Sequence, residues 1–489
     1  MTNTSHRPSR LHTTRAPGWT GSHARASVTR LATAFAVCAF AFQMPLHAQG
    51  SQPQVSPDLQ AKIAATYEKA QQIARRAERV RDIDQLRNLQ AAYGYYVDKA
   101  MWDDVVDLFT ENGTMELGLN GVYVGKNSIR RYLYSLTGGK PGLRPGELNN
   151  HFQLSPVITL APDGQSARAR WRALIQGGQY GKGSGGDWGS GIYENEYVKE
   201  DGVWKIKSLH FYVKFYAPYE GGWTKAPKAT ALRYGKSNVR PDRPPSVKYE
   251  PYPARFTPPF HYENPVTASY VFGASAPAPK GSGAGSPPRT VAELEAYVRK
   301  LEHEVDRLQS TLDVENLNAI YGYYVDKSMQ DAISALFAEE STLEILGRGV
   351  FLGRDRVYEY MRRLGAPQQG SLFNHMQLQP YITISADGTT AQMRTRLFVM
   401  FGRTGQAAQW GEGIYENTFV RENGVWKYKN LQGFQTFYTN YDQGWAKQSA
   451  GIFAPFPGYP PDAPQSVAYD PYPALFTPPF HYRNPVSGR

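Results

Sequence analysis

The heptapeptide Tyr93-Gly-Tyr-Tyr-Val-Asp98-Lys99 returns unchanged as Tyr321-Gly-Tyr-Tyr-Val-Asp326-Lys327. Other matches follow in the same order: Asn150-His151-Phe-Gln153-Leu and Asn374-His375-Met-Gln377-Leu, Gly191-Ile-Tyr-Glu-Asn195 and Gly413-Ile-Tyr-Glu-Asn417, Gly202-Val-Trp204-Lys205 and Gly424-Val-Trp426-Lys427. Phe256-Thr-Pro-Pro-Phe-His261-Tyr and Phe476-Thr-Pro-Pro-Phe-His481-Tyr close the series. A period this long is a duplicated domain rather than a short structural repeat. Two copies also suit a chain of 489 residues that is 41% hydrophobic, too long for one ordinary domain and too apolar for disorder.

Outside the copies the composition changes. Residues 1–48 carry Arg7, Arg10, Arg15, Arg25 and Arg30 with no acidic residue, then the apolar run Leu31–Phe42 and the small-residue ending Leu46-His47-Ala48. This stretch reads as a secretory signal cleaved near Ala48, too short in its apolar part to span a bilayer. It predicts a periplasmic or secreted mature protein with no stable membrane anchor. Five of the eleven excess positive charges lie in it, which weakens a nucleic-acid reading; the lone Cys38 lies in it too, so no disulfide framework is expected. The remaining divisions are a helical leader at 49–85, a first domain at 86–220, an extended Pro/Tyr-rich tail at 221–266 and a flexible Ala/Pro/Gly/Ser linker at 267–289. A second leader at 290–312, a second domain at 313–445 and a second tail at 446–489 complete the chain.

Within a copy the hydrophobic period switches once. Val291, Leu294, Val298, Leu301, Val305 and Leu308 keep helical spacing, and a short helix follows Asp98 with Val105, Val106, Leu108 and Phe109 apolar. Strand-like segments then alternate with turn signals such as Asp163-Gly164 and Asp201-Gly202, as in an antiparallel meander. The expected fold is α+β: two tandem cone-shaped barrels, each a curved antiparallel sheet around helices with a small-molecule pocket at its mouth.

This order of elements, with Tyr93, Asp98 and His151 in copy one and Tyr321, Asp326 and His375 in copy two, resembles the SnoaL-like branch of the nuclear-transport-factor-2-like superfamily. More specifically, it resembles the dehydratases of that branch, of the bile-acid 7α and scytalone types. Asp98 to Trp102 resembles the branch's Asp-x-x-x-Trp motif; Gln330 replaces the Trp in copy two. The resemblance implies a cofactor-independent lyase acting on a hydroxylated aromatic, steroid-like or polyketide-like molecule. Histidine serves as acid/base, aspartate orients the imidazole and tyrosine donates to a developing oxyanion. Isomerisation, cyclisation or release of an aldehyde on the same scaffold, and non-catalytic capture of apolar ligands, are the alternatives.

Secondary expectations concern single residues. Gln153 and Gln377 share a strand face with the histidines and, with Tyr96 and Tyr324, are candidates for substrate contact. Tyr95 and Tyr323 divide with them between pocket wall and core. Glu116 and Glu344 alternate with apolar neighbours and are expected to face solvent, while Trp204 and Trp426 pack. Asp98 has a second reading as cap of a helix beginning at Lys99. No phosphate loop, dinucleotide fingerprint or close histidine pair is present, so no cofactor and no metal are expected. The two copies should form an intramolecular pseudo-dimer, and each tail should either cover a pocket or join the copies.

Overall fold

The computed structural model describes residues 55–181, 183, 185–225, 237–264, 286–365 and 368–489. The signal expected at 1–48 and the linker expected at 267–289, save its last four residues, lie outside them. Each copy opens on a helix much longer than its domain requires. Helix α1 spans Pro57–Asp98 without interruption across the boundary expected at 85/86. Its N-terminal half buries Ile63, Tyr67, Ala70 and Ala77, a seam spaced by threes, fours and sevens, and its last turns bury almost every side chain. Short α2 (Trp102–Asp107), β1 (Phe109–Leu117), β2 (Val122–Val124), α3 (Lys126–Leu136) and strands β3 (Glu147–Leu160), β4 (Ser166–Gln179), β5 (Gly186–Glu200) and β6 (Val203–Pro218) follow. The second copy repeats them as α4 (Val291–Asp326), α5 (Gln330–Ala335), β7 (Phe337–Ile345), β8 (Val350–Leu352), α6 (Arg354–Arg363), β9 (Ser371–Ile384), β10 (Thr390–Arg403), β11 (Ala407–Glu422) and β12 (Val425–Asn440). Helix α4 starts at a capping box in which Thr290 accepts from the Glu293 N–H, satisfying amides the first turn leaves unpaired.

The sheets have order β2-β1-β6-β5-β4-β3 and β8-β7-β12-β11-β10-β9. They are curved but open, so the expected barrels do not close. Nor are they purely antiparallel, because β1–β6 and β7–β12 run parallel. Alternation along β4 fixes which face is inside: Ala167, Ala169, Trp171, Ala173 and Ile175 are in the core, while Arg168, Arg170 and Arg172 point outward. The turns after α1 and α4 reverse the chain through Ala100 and Ser328, whose positive φ of 52° and 49° brings α2 and α5 back against the helices they follow.

Residues Asp58–Arg489 form one unit, and equivalent residues of the two copies meet. Tyr67 packs edge-on to Tyr297 at 5.0 Å, Arg87 pairs with Glu315, and Trp188 meets Trp410 at 5.9 Å. Because Tyr67, Arg81 and Arg87 face Tyr297, Glu304 and Glu315 in that order, α1 and α4 run parallel. The tails lie on the outer sheet faces. Glu116 accepts from Ser246 N and Oγ at 2.8 and 2.7 Å, and Glu344 from Ser466 N and Oγ at the same distances. Both carboxylates are buried, contrary to the expectation that they face solvent: the tail covers the face to which alternation assigns them. Farther on, Phe260 and Phe480 lie beneath the Arg170 and Arg394 guanidinium groups, and His261 and His481 meet Glu194 and Glu416. The second tail then crosses to the first copy. Phe480 and Tyr482 pack on Tyr96, Asn484 donates to the Asp104 carbonyl at 3.0 Å and Arg489 pairs with Asp107.

Candidate functional site

The C-terminal turns of α1 lie inside the curl of sheet one, and the core between them keeps a cavity of about 40 Å³ lined by Tyr93, Trp102, Asn149, His151, Tyr193 and Phe211, among others. Strands and helix together place the polar members. Tyr93 sits one helical turn before Val97; His151 and Asn149 face inward from β3; Tyr193 faces inward from β5. The Tyr93 and Tyr193 hydroxyls are hydrogen-bonded, and burial raises both phenols above the ordinary tyrosine value, so both stay protonated donors. Gln153 is fixed by Gln90, whose Nε2 donates to its Oε1 at 2.8 Å. Gln90 in turn accepts from Tyr197 at 2.7 Å and from Asn195 at 3.1 Å.

Asp98 does not take the place the sequence assigned to it. Its Oδ1 accepts the main-chain N–H of His151 at 2.6 Å and its Oδ2 accepts from Arg396 of the second copy. The carboxylate thus ties the end of α1 to edge strand β3 and to the other repeat, and it positions the histidine through the backbone. It caps no helix either: it is the last residue of α1, and α2 begins after Met101. Asp326 repeats the main-chain bond, accepting from His375 N at 2.6 Å, but is only half-buried. Burial raises both carboxyls above the usual aspartate value, against the Arg396 contact at Asp98 and the His375 N–H at Asp326.

In the second copy the Tyr321 and Tyr415 hydroxyls are hydrogen-bonded as their counterparts are, and burial raises both. His375 is pulled down to about 4 by desolvation and is neutral at ordinary pH. Among the described residues its Nδ1, and both Nε2 and Oε1 of Gln377, have no hydrogen-bond partner despite burial. For Gln377 the contrast with copy one is a side chain one methylene shorter: Asn318 stands where copy one has Gln90, and it accepts from Asn417 and Tyr428 without the donation to Gln377 that Gln90 makes to Gln153. Buried polar atoms left this way mark a place for a polar ligand.

The other candidates separate. Tyr96 lies under Phe480 and Tyr482 rather than on the cavity, and Tyr324 packs against the second core. Tyr95 is buried between the copies, donating to the Gln379 carbonyl at 2.6 Å, whereas Tyr323 is 72% exposed. Trp204 packs and donates to Asp82 at 3.0 Å, and Trp426 is buried. The sequence reading passed over Tyr193, Tyr415 and Asn149, whereas Trp102, singled out there by its motif, does line the cavity. The repeated Gly-Ile-Tyr-Glu-Asn motif carries the signal for the two tyrosines, since Tyr193, Asn195 and Tyr197 alternate onto one strand face.

A curved sheet closing on a helix end, with histidine and paired tyrosines inside, defines the class of small α+β cones with an internal small-molecule site. The particular family follows from sequence: the SnoaL-like domain model matches residues 78–210 and 306–432, so the chain belongs to the SnoaL-like family, once per copy. Among solved structures, a putative scytalone dehydratase from Novosphingobium aromaticivorans is similar at 23% identity, over 28% of this chain and 90% of that one, with TM-score 0.26. A hexachlorocyclohexane dehydrochlorinase (LinA) of type 2 is similar at 17% identity, over 28% and 92%, with TM-score 0.26. Aln2 from a Streptomyces species is similar at 17% identity, over 26% and 89%, with TM-score 0.24. No curated protein matches the chain in sequence.

Proposed function

We propose that the protein is an exported, cofactor-independent lyase that eliminates water or a comparable leaving group from a hydroxylated aromatic, steroid-like or polyketide-like molecule. The observation that carries this reading is the neutral His375, half-buried with its Nδ1 enclosed and unmatched, in the same copy as the hydrogen-bonded Tyr321 and Tyr415 phenols. Copy one holds His151 with Tyr93 and Tyr193 on one cavity. An unprotonated imidazole takes the proton from the carbon next to a carbonyl. The phenols hydrogen-bond the oxygen on which negative charge collects. As the carbon–oxygen bond on the neighbouring carbon breaks, a carbon–carbon double bond forms and the proton returns to the departing hydroxide, giving water. Export rests on the basic and apolar leader read at 1–48.

The cavity in copy one is smaller than a ring needs, since a cavity that takes up benzene measures roughly 150 Å³, so substrate entry requires its walls to part. The test is a panel of hydroxylated aromatic and polycyclic compounds incubated with the full chain and followed by mass spectrometry. Loss of a neutral fragment from at least one compound is the expected result. Binding without turnover across the panel supports capture of apolar ligands instead.

A further inference from the structure

A second cavity, about 160 Å³, lies where the end of α1 and the start of β3 meet β12 and the second tail. Its polar lining includes Lys99, Asn150 and Gln435, and its apolar lining Leu148, Tyr472 and Phe476. Asn149 lines this cavity and the inner one alike, so the two lie back to back. The charged groups around it are already engaged, with one exception. Asp98 and Glu412 share Arg396, Glu416 holds Arg394, and Glu147 at the lining accepts from the Arg144 N–H at 2.7 Å. The Lys99 ammonium makes no ion pair or hydrogen bond with another described residue. Buried Gln435 Oε1 likewise has no donor among the described residues.

We infer that this inter-repeat cavity binds a small hydroxylated aromatic carboxylate, with Lys99 as counter-charge and Gln435 as acceptor of the ligand hydroxyl. The volume matches a single ring by the roughly 150 Å³ measure for benzene. The apolar wall suits the ring, and an ammonium that no carboxylate of the described residues meets at hydrogen-bond distance gains a charge-assisted contact from a bound one. Desolvation pulls Lys99 below the ordinary lysine value against the nearby Asp98 and Glu412 carboxylates, which raise it, and a bound carboxylate adds to their attraction. Among the described residues copy two does not repeat the site, because its matching positions are open: Lys327 is exposed and Leu372, the counterpart of Leu148, is 56% exposed. The inference does not depend on the catalytic reading.

Calorimetric titration of the whole protein with 4-hydroxybenzoate tests it. One site per chain is expected, with binding weaker by at least roughly tenfold for 4-hydroxybenzamide and for Lys99→Gln, the loss of a charged hydrogen bond. Lys327→Gln and the His151→Gln/His375→Gln double variant should bind as the wild type does. Should Lys99→Gln not fold, Leu475→Trp, which fills the cavity from the exposed tail, is expected to abolish binding. Absence of binding, equal affinity for the amide, or loss of binding in the histidine double variant overturns the inference, the last by moving the ligand to the inner cavities.

Discussion

The clearest contrast between the copies is one residue long. Gln90 reaches Gln153, while Asn318 at the same position does not reach Gln377. Tyr93, His151 and their repeats were legible because the motifs holding them recur and because strand alternation puts histidine inside. The function of Asp98 was not, since a carboxylate serves a backbone N–H and an imidazole equally well and spacing does not choose. His375 yields a prediction with a definite sign. Its folded value of about 4 lies below the unfolded value of about 6.5, so the unfolded chain binds the extra proton between these limits. The stabilisation is complete above about pH 6.5 and is lost as pH falls towards 4, up to roughly 3 kcal/mol in all. Urea melts of wild type and His375→Gln from pH 7 to pH 4 should show the variant losing that much less stability than wild type. Parallel curves would contradict the assignment of a desolvated neutral imidazole. Asp326 titrates with the opposite sign, and the comparison between variants cancels it.

At the scale of elements, the hydrophobic period located the helices: the short helix expected after Asp98 is α2 at Trp102–Asp107, although Phe109, expected on its apolar face, opens β1. The outward strand faces were misread because alternation reports which side is apolar and carries no notice of what later covers the other side. Glu116 and Glu344 are buried for that reason. The second tail is the element whose removal should show most. Deleting residues 480–489 uncovers Tyr96 and removes the Asn484 and Arg489 contacts with α2. Phe480 and Tyr482 together predict about 3 kcal/mol of lost stability, read as a lower denaturation midpoint in guanidinium. An unchanged midpoint would show that the tail adds nothing to the pairing of the copies.

At the scale of the molecule, duplication supplies two copies of each surface, but the structure uses them unequally. Arg396 is fully buried between Asp98 and Glu412, whereas Arg172, its counterpart, is exposed. Sequence alone treats the two arginines as one, because only the packing of the copies distinguishes them. Arg396→Met strands two buried carboxylates and should cost roughly 3–5 kcal/mol, while Arg172→Met should stay within about 0.5 kcal/mol of wild type. Equal effects in chemical denaturation would refute the unequal interface. The chemistry, by contrast, is expected from groups that both copies keep. The direct measurement is kcat/KM of the His151→Gln/His375→Gln double variant on whichever compound the panel shows to be turned over. Loss of a general base predicts a fall of roughly 10²–10⁴-fold with the fold intact by circular dichroism; a rate equal to wild type would contradict proton transfer by these histidines.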